Sequence, residues 1–209
     1  MGAVADVNPP TRKARAAATR RRIVECAHEL FIEDGYAATT MPAVAAAAGV
    51  AVQTVYLVFR TKGDLLQAVY ELAVLGPEGL PPHLMVWWPS IDDGYDVEQS
   101  IQRFVEGTME LLARVAPLVW TVLGDETARA GYEHNEGLRR VGYGDLVSVL
   151  AEKHPLRPGR TPTHARDVLL VLTGPQLFVQ YTRDLGWSHS ELAEWIITAA
   201  LDQLFGIRQ

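Results

Sequence analysis

The side chains best able to do chemistry in this sequence are scattered, and their spacings limit what they could do. His134 lies between Glu133 and Glu136, whose three-residue spacing can bring two carboxylates together if the segment is helical. That arrangement could hold a metal, but such a cluster is more often a solvated helix start. His164 and Asp167 repeat the spacing with the same two readings. Cys26 is the only thiol and falls near the apolar face of an N-terminal helix, as a small buried residue would, rather than a redox switch. No nucleophile stands at diagnostic spacing from a base, no glycine-rich phosphate loop occurs, and no helix pairs two histidines on one face. The expectation is a protein that is not an enzyme and carries no metal or cofactor.

Charge points elsewhere. The 209 residues carry a net charge of -6, yet residues 1–65 sum to +2 and residues 66–209 to -8. Six basic residues (Arg12, Lys13, Arg15, Arg20, Arg21 and Arg22) stand in residues 1–22 against one acid, Asp6. A basic N-terminal arm on an acidic body favours a nucleic-acid contact at one end. The chain is 48% apolar, long enough for one ordinary domain or two small ones. It has no apolar run of the roughly 18 residues a membrane span needs. Met1 to Pro10 lacks the apolar stretch of a secretory signal. A cytoplasmic protein without a membrane partner is expected.

The elements that must position these side chains read as helices almost throughout. Ile23, Ala27, Leu30 and Phe31 form one helical face that stops at Gly35. Thr39 and Thr40 are N-cap candidates for a short helix over Met41–Ala48, and a second follows from about Val52 to Phe59. Thr61 to Asp64 forms a capping box for a helix to about Leu75. Gly76 to Gly94 reads as a linker whose apolar middle, with Trp87 and Trp88, should pack on something. A strand is possible there, although no partner strand appears elsewhere. Ile101 to Val115 holds helical spacing, Pro117 would open a further helix, and another covers about Glu136 to Lys153, weakened by Gly142 and Gly144. Thr161-Pro162 starts a helix that meets a kink at Gly174-Pro175, and the Ser188–Glu191 capping box starts the last, to about Gly206. The broad apolar faces of the last two helices suggest a dimer seam, with a large internal core as the alternative.

Residues 40–59 carry the function. Two short helices joined at Gly49-Val50-Ala51 make a helix-turn-helix, with Val44, Ala45, Ala48, Val50 and Val55 as the packing set. Gln53, Thr54 and Leu57 are left on the outer face. From Ile23-Val24-x-x-Ala27 through Leu30-Phe31, Gly35-Tyr36, Thr39-Thr40, Val44-Ala45-x-x-Ala48-Gly49-Val50 and Thr54-Val55-Tyr56-x-x-Phe59-x-x-Lys62 to Leu65-Leu66, the chain resembles the DNA-binding domain of the tetracycline-repressor (TetR) family of transcriptional regulators. The resemblance covers residues 20–75, about a quarter of the chain. It implies an all-α fold of about nine helices: a basic arm over 1–19, a three-helix helix-turn-helix DNA-binding domain over 20–66, and a helical effector-binding and dimerisation domain over 67–209.

The resemblance puts Thr40, Tyr56 and Lys62 against backbone phosphates, and Gln53 and Thr54 at the start of the recognition helix. Gln pairs bidentately with adenine and Thr meets the thymine methyl, so these two are the choices for base edges. The basic arm would supply backbone or minor-groove charge. Two departures stand out: Ala51 replaces the usual Ser, removing a side-chain N-cap, and Leu57 and Val58 make the recognition tip apolar.

In this family the body binds a small molecule and dimerises through its last two helices. Phe104, Thr108, Met109, Leu112, Trp120, Tyr143, Gln176 and Gln180 have the mix of apolar and hydrogen-bonding types a pocket for a partly apolar effector needs, although residues at helical spacing line a core more often than a ligand site. Trp87 and Trp88 could cap such a pocket or anchor the long loop. The expected function is a homodimeric repressor released from a palindromic operator in double-stranded DNA by an effector. The alternatives are a DNA-binding dimer governed by a protein partner or by no effector, and a helical enzyme.

Overall fold

The computed structural model describes residues 11–122 and 126–208, with the side chains of residues 120 and 127 outside that description. The chain divides into two compact units, Met1–Val69 and Tyr70–Gln209. All regular structure among the described residues is helical.

In the first unit, α1 (Arg12–Glu33) begins at Thr11, whose hydroxyl accepts the Ala14 N–H at 3.2 Å. The basic residues from Arg12 onward therefore ride on a helix, rather than on an arm ending at residue 19; residues 1–10 of that arm lie outside the described residues. Thr39 and Thr40 divide the capping work. Thr40 caps α2 (Met41–Ala47), while the buried Thr39 hydroxyl donates to the Gly35 carbonyl at 2.9 Å, close to the end of α1. Gly49, at φ 62°, takes a left-handed turn that L side chains rarely adopt. The chain then enters α3 (Val52–Val58), bent 109° from α2, within the range of a helix-turn-helix. Ile23, Ala27, Phe31, Val44, Ala45, Ala48, Val55 and Phe59 bury the face that holds the three helices together. The Thr61–Asp64 box closes reciprocally, both N–H to oxygen distances being 3.0 Å, and starts α4 (Lys62–Leu75). The unit boundary falls within α4, three residues beyond the expected one.

In the second unit, α5 (Val97–Val122) packs against α6 (Glu126–Lys153), α8 (Pro175–Val179) and α9 (His189–Ala200), and α7 (Pro162–Leu172) lies on α6. π-type turns at Gln180–Asp184 and Leu201–Phe205 extend α8 and α9. Two expectations are corrected. Pro117 opens no helix but sits inside α5. It lacks the N–H that would bond the Ala113 carbonyl, but Ala113 is exposed to solvent, while Val115, Ala116, Leu118 and Val119 are buried and hold the helix by packing. Likewise α6 starts at Glu126, ten residues before the expected Glu136. Burial of Tyr143, Leu146, Val147 and Leu150 outweighs the cost of its glycines, about 1 kcal/mol each.

The loop from Gly76 to Gly94 contains a short 3-10 turn, Pro82–Leu84, and no strand. Its tryptophans anchor it. Trp87 lies so close to Gly107 that a Cβ there would meet the indole at 2.2 Å. Trp88 packs edge-on to Phe104 (5.5 Å between centroids) and Tyr143 (6.2 Å). Lys153 holds the far end through Asp93 at 2.5 Å and the Tyr95 carbonyl at 2.8 Å. In α9, Leu192, Ile196 and Ala200, with Leu201 and Leu204 beyond, are buried within the chain's own core. Trp195 is left partly exposed, stacked on Tyr181 at 5.2 Å.

Candidate nucleic-acid interface

The residues expected to meet DNA separate into those the fold uses and those it leaves alone. Gln53 is exposed and Thr54 half-buried on the first turn of α3, and neither is needed by the packing that Val55 provides. Tyr56 is 50% exposed, and Leu57, one turn beyond Gln53, is 85% exposed. Ala51 has extended N-cap geometry (φ -67°, ψ 144°) but no side-chain bond to the helix, as its residue type dictates. Thr40 is exposed; its oxygen accepts the Ala43 N–H at 3.2 Å, which leaves the hydroxyl hydrogen free to donate outward.

Lys62 is the residue whose surroundings sequence spacing did not reveal. Its ammonium donates to the carbonyls of Tyr36 at 2.9 Å and Thr39 at 3.2 Å, with the Ala37 carbonyl at 3.4 Å, and lies 4.2 Å from the Tyr36 ring centre. It ties the start of α4 to the turn before α2. Arg20 rests 5.0 Å over the Phe59 ring and Arg21 pairs with Glu25 at 2.7 Å, while Arg12, Lys13 and Arg22 are exposed. The first unit thus presents exposed cations on α1 and an uncharged outer face on α3.

In the body, Phe104, Met109, Leu112 and Tyr143 join one buried core, and Phe104 meets Tyr143 edge-on at 5.6 Å. Thr108 is buried on α5. Gln176 is exposed and donates to the Tyr132 hydroxyl at 2.6 Å; Gln180 is exposed on the following turn. The Trp120 side chain lies outside the described residues. The Thr173 hydroxyl donates to the Leu169 carbonyl at 2.7 Å, so the Tyr143 hydroxyl must donate to Thr173, also at 2.7 Å.

Around Tyr143 lies a polar group that spacing alone did not single out. Arg139 pairs with Glu136 at 2.8 Å, donates to the Leu170 carbonyl, and keeps a buried Nε without a partner. Burial opposes its charge, but Tyr143 and Glu136 more than offset this and raise its pKa above the ordinary arginine value. Burial first, and then Glu136, push the Tyr70 hydroxyl up to about 12. The three-residue spacing of Glu136 and Arg139, with Tyr143 four further on, was the available signal.

The remaining candidates have ordinary surroundings. Glu133 lies 3.4 Å from Arg129, and Asp167 pairs with Arg166 at 2.8 Å. Cys26 is half-buried, and burial pushes its thiol pKa up, away from the reactive thiolate. Among the described residues no group of three metal-ligating side chains converges, and no single helix is long and apolar enough to cross a membrane.

Comparison with known proteins agrees with this geometry. Residues 23–69 match the family model described as bacterial regulatory proteins, tetR family. No curated protein sequence matches the chain. Among solved structures, native NalD of Pseudomonas aeruginosa, the secondary repressor of the MexAB-OprM multidrug efflux pump, is 26% identical, with 90% of this chain and 98% of that one covered and a TM-score of 0.74. FadR of Bacillus halodurans, a fatty acid degradation regulator, shares the fold at 18% identity, 88% and 94% coverage and a TM-score of 0.72. FadR of Bacillus subtilis, solved with stearoyl-CoA, shares it at 16% identity, 88% and 98% coverage and a TM-score of 0.69. Residues 23–69, with the 109° helix pair they contain, thus match a tetR-family DNA-binding domain, and the chain over most of its length is similar in fold to the repressor NalD.

Proposed function

We propose that the protein is a homodimeric repressor that binds a palindromic operator and is released by a small, partly apolar effector bound in its helical body. The observation that carries the reading is the outer face of α3: Gln53, Tyr56 and Leu57 stay exposed after the motif has buried its own core. Thr40, Tyr56 and Lys62 serve as phosphate contacts, and Gln53 and Thr54 read base edges. Two copies of α3, roughly 34–36 Å apart, would enter successive major grooves. The last two helices form the seam. Beside Trp195, an open depression of about 380 Å³, lined also by Thr198, Ala199, Asp202 and Arg208, offers a second copy an apolar and charged surface.

The likeness to NalD, a repressor of an efflux pump, supports the repressor reading. An effector reaching Phe104 and Tyr143 must displace Trp88, which packs on both, and would so loosen the loop that follows α4. It shifts the DNA-competent state only by its differential affinity for the two states. A second reading, a regulator governed by a protein partner or by no effector, is favoured by one observation: four of the expected pocket residues are packed into a single core.

Selection of bound duplex from a random library, at fixed salt and with the full-length protein, tests the operator. An enriched palindrome supports the proposal; weak, salt-sensitive binding without enrichment refutes it. Small molecules that release the selected duplex then separate the two readings.

A further inference from the structure

The sequence of α3, Val52-Gln53-Thr54-Val55-Tyr56-Leu57-Val58, contains no charged residue. It therefore lacks an arginine or lysine for the bidentate contact that reads guanine. Its largest solvent-facing apolar group is Leu57, and at 85% exposure no other large apolar side chain among the described residues of the first unit is so open. The fold gains nothing from it: Val55 and Phe59, on either side, are the buried residues of this stretch. Gln53 precedes Leu57 by four residues, so the two share a helix face about 6 Å apart along the axis. That rise corresponds to about two base-pair steps of roughly 3.4 Å. In the major groove the group that rewards an aliphatic side chain is the C5-methyl of thymine.

We infer that Leu57 is a specificity-determining residue, which packs on a thymine methyl group about two steps from the adenine read by Gln53. This rests on the operator reading above and adds to it a base and a contact. The operator half-site is then A·T-rich where α3 lies, and its recognition depends on a methyl group as well as on hydrogen bonds.

Uracil lacks only that methyl, so the test is a uracil scan of the selected operator. Each thymine is replaced in turn, and affinity is measured for the wild-type protein, Leu57→Ala and Gln53→Ala. At one position per half-site, uracil is expected to weaken wild-type binding about four-fold, the worth of one buried carbon. Leu57→Ala should bind thymine and uracil there equally, with an unchanged melting temperature because Leu57 is outside the core. Gln53→Ala should keep the discrimination. An enriched operator whose uracil forms bind the wild type as well as thymine forms do, or lose equally with Leu57→Ala, overturns the inference and leaves the operator reading standing. Absence of any enriched operator removes both.

Discussion

The Lys62 ammonium donates to the carbonyls of Tyr36 and Thr39, and a phosphate oxygen in the proposed complex must share it with them. Lys62→Ala should therefore do two things. It should lower stability by about 1–2 kcal/mol through lost charge-assisted hydrogen bonds, read by denaturant unfolding. It should also reduce the slope of log affinity against log salt by about one, the signature of one lost phosphate contact. A stability loss with an unchanged slope would restrict Lys62 to its internal role. Asp93 gives a pH dependence with a defined sign. Burial raises its pKa, but the Lys153 hydrogen bond and the N–H groups of Ser90 and Tyr95 outweigh this and leave it below the ordinary carboxyl value. A depressed folded-state pKa contributes stability that is full above the unfolded value of about 4 and is lost as pH falls through the folded value. The stability gap between wild type and Asp93→Asn should hold constant above that range and close below it, as followed by unfolding titrations at stepped pH.

Gly107 and Ala51 carry the predictions that belong to whole elements. A Cβ at Gly107 would lie 2.2 Å from Trp87, so Gly107→Ala must expel the indole and free the loop before α5. The expected cost is at least about 2 kcal/mol, with new proteolytic cleavage between residues 76 and 94. Ala51 already has N-cap backbone geometry, and Ala51→Ser should stabilise α3 by about 1 kcal/mol, raising the melting temperature. Local chemistry made some elements legible in advance. The Thr61–Asp64 and Ser188–Glu191 boxes and Thr161 before Pro162 fix helix starts by bonds within four residues, and all three starts are where the sequence puts them. The extents of α5 and α6 were not legible, because Pro117 reads locally as a helix start and Gly142 and Gly144 as weak points, while the packing that overrides them comes from distant residues. The outer face of α3 was legible for the same reason as the caps: a seven-residue helix has one buried side, and Val55 marks it. Lys62 shows the limit, since its partners lie 23 to 26 residues away.

Across the chain, charge and function divide together. The first 65 residues sum to +2 and the rest to -8, so a polyanion is favoured by the charge of the first segment and disfavoured by that of the second. The proposed dimer sets the spacing of the two motifs, and Thr198→Arg tests it. Thr198 is exposed beside Arg208 in the depression near Trp195, so a second cation there should leave the helices intact. It should raise the dimer dissociation constant at least about ten-fold in sedimentation experiments, and weaken the operator complex in parallel. All five tryptophans fall within Tyr70–Gln209, and four of them form the Trp87–Trp88 and Trp187–Trp195 groupings, whereas the first unit has no tryptophan. Indole emission therefore reports on the body and is blind to melting of the DNA-binding end, which makes the chain its own two-channel optical probe. A ligand that parts Trp88 from Phe104 announces itself by wavelength before any operator is added.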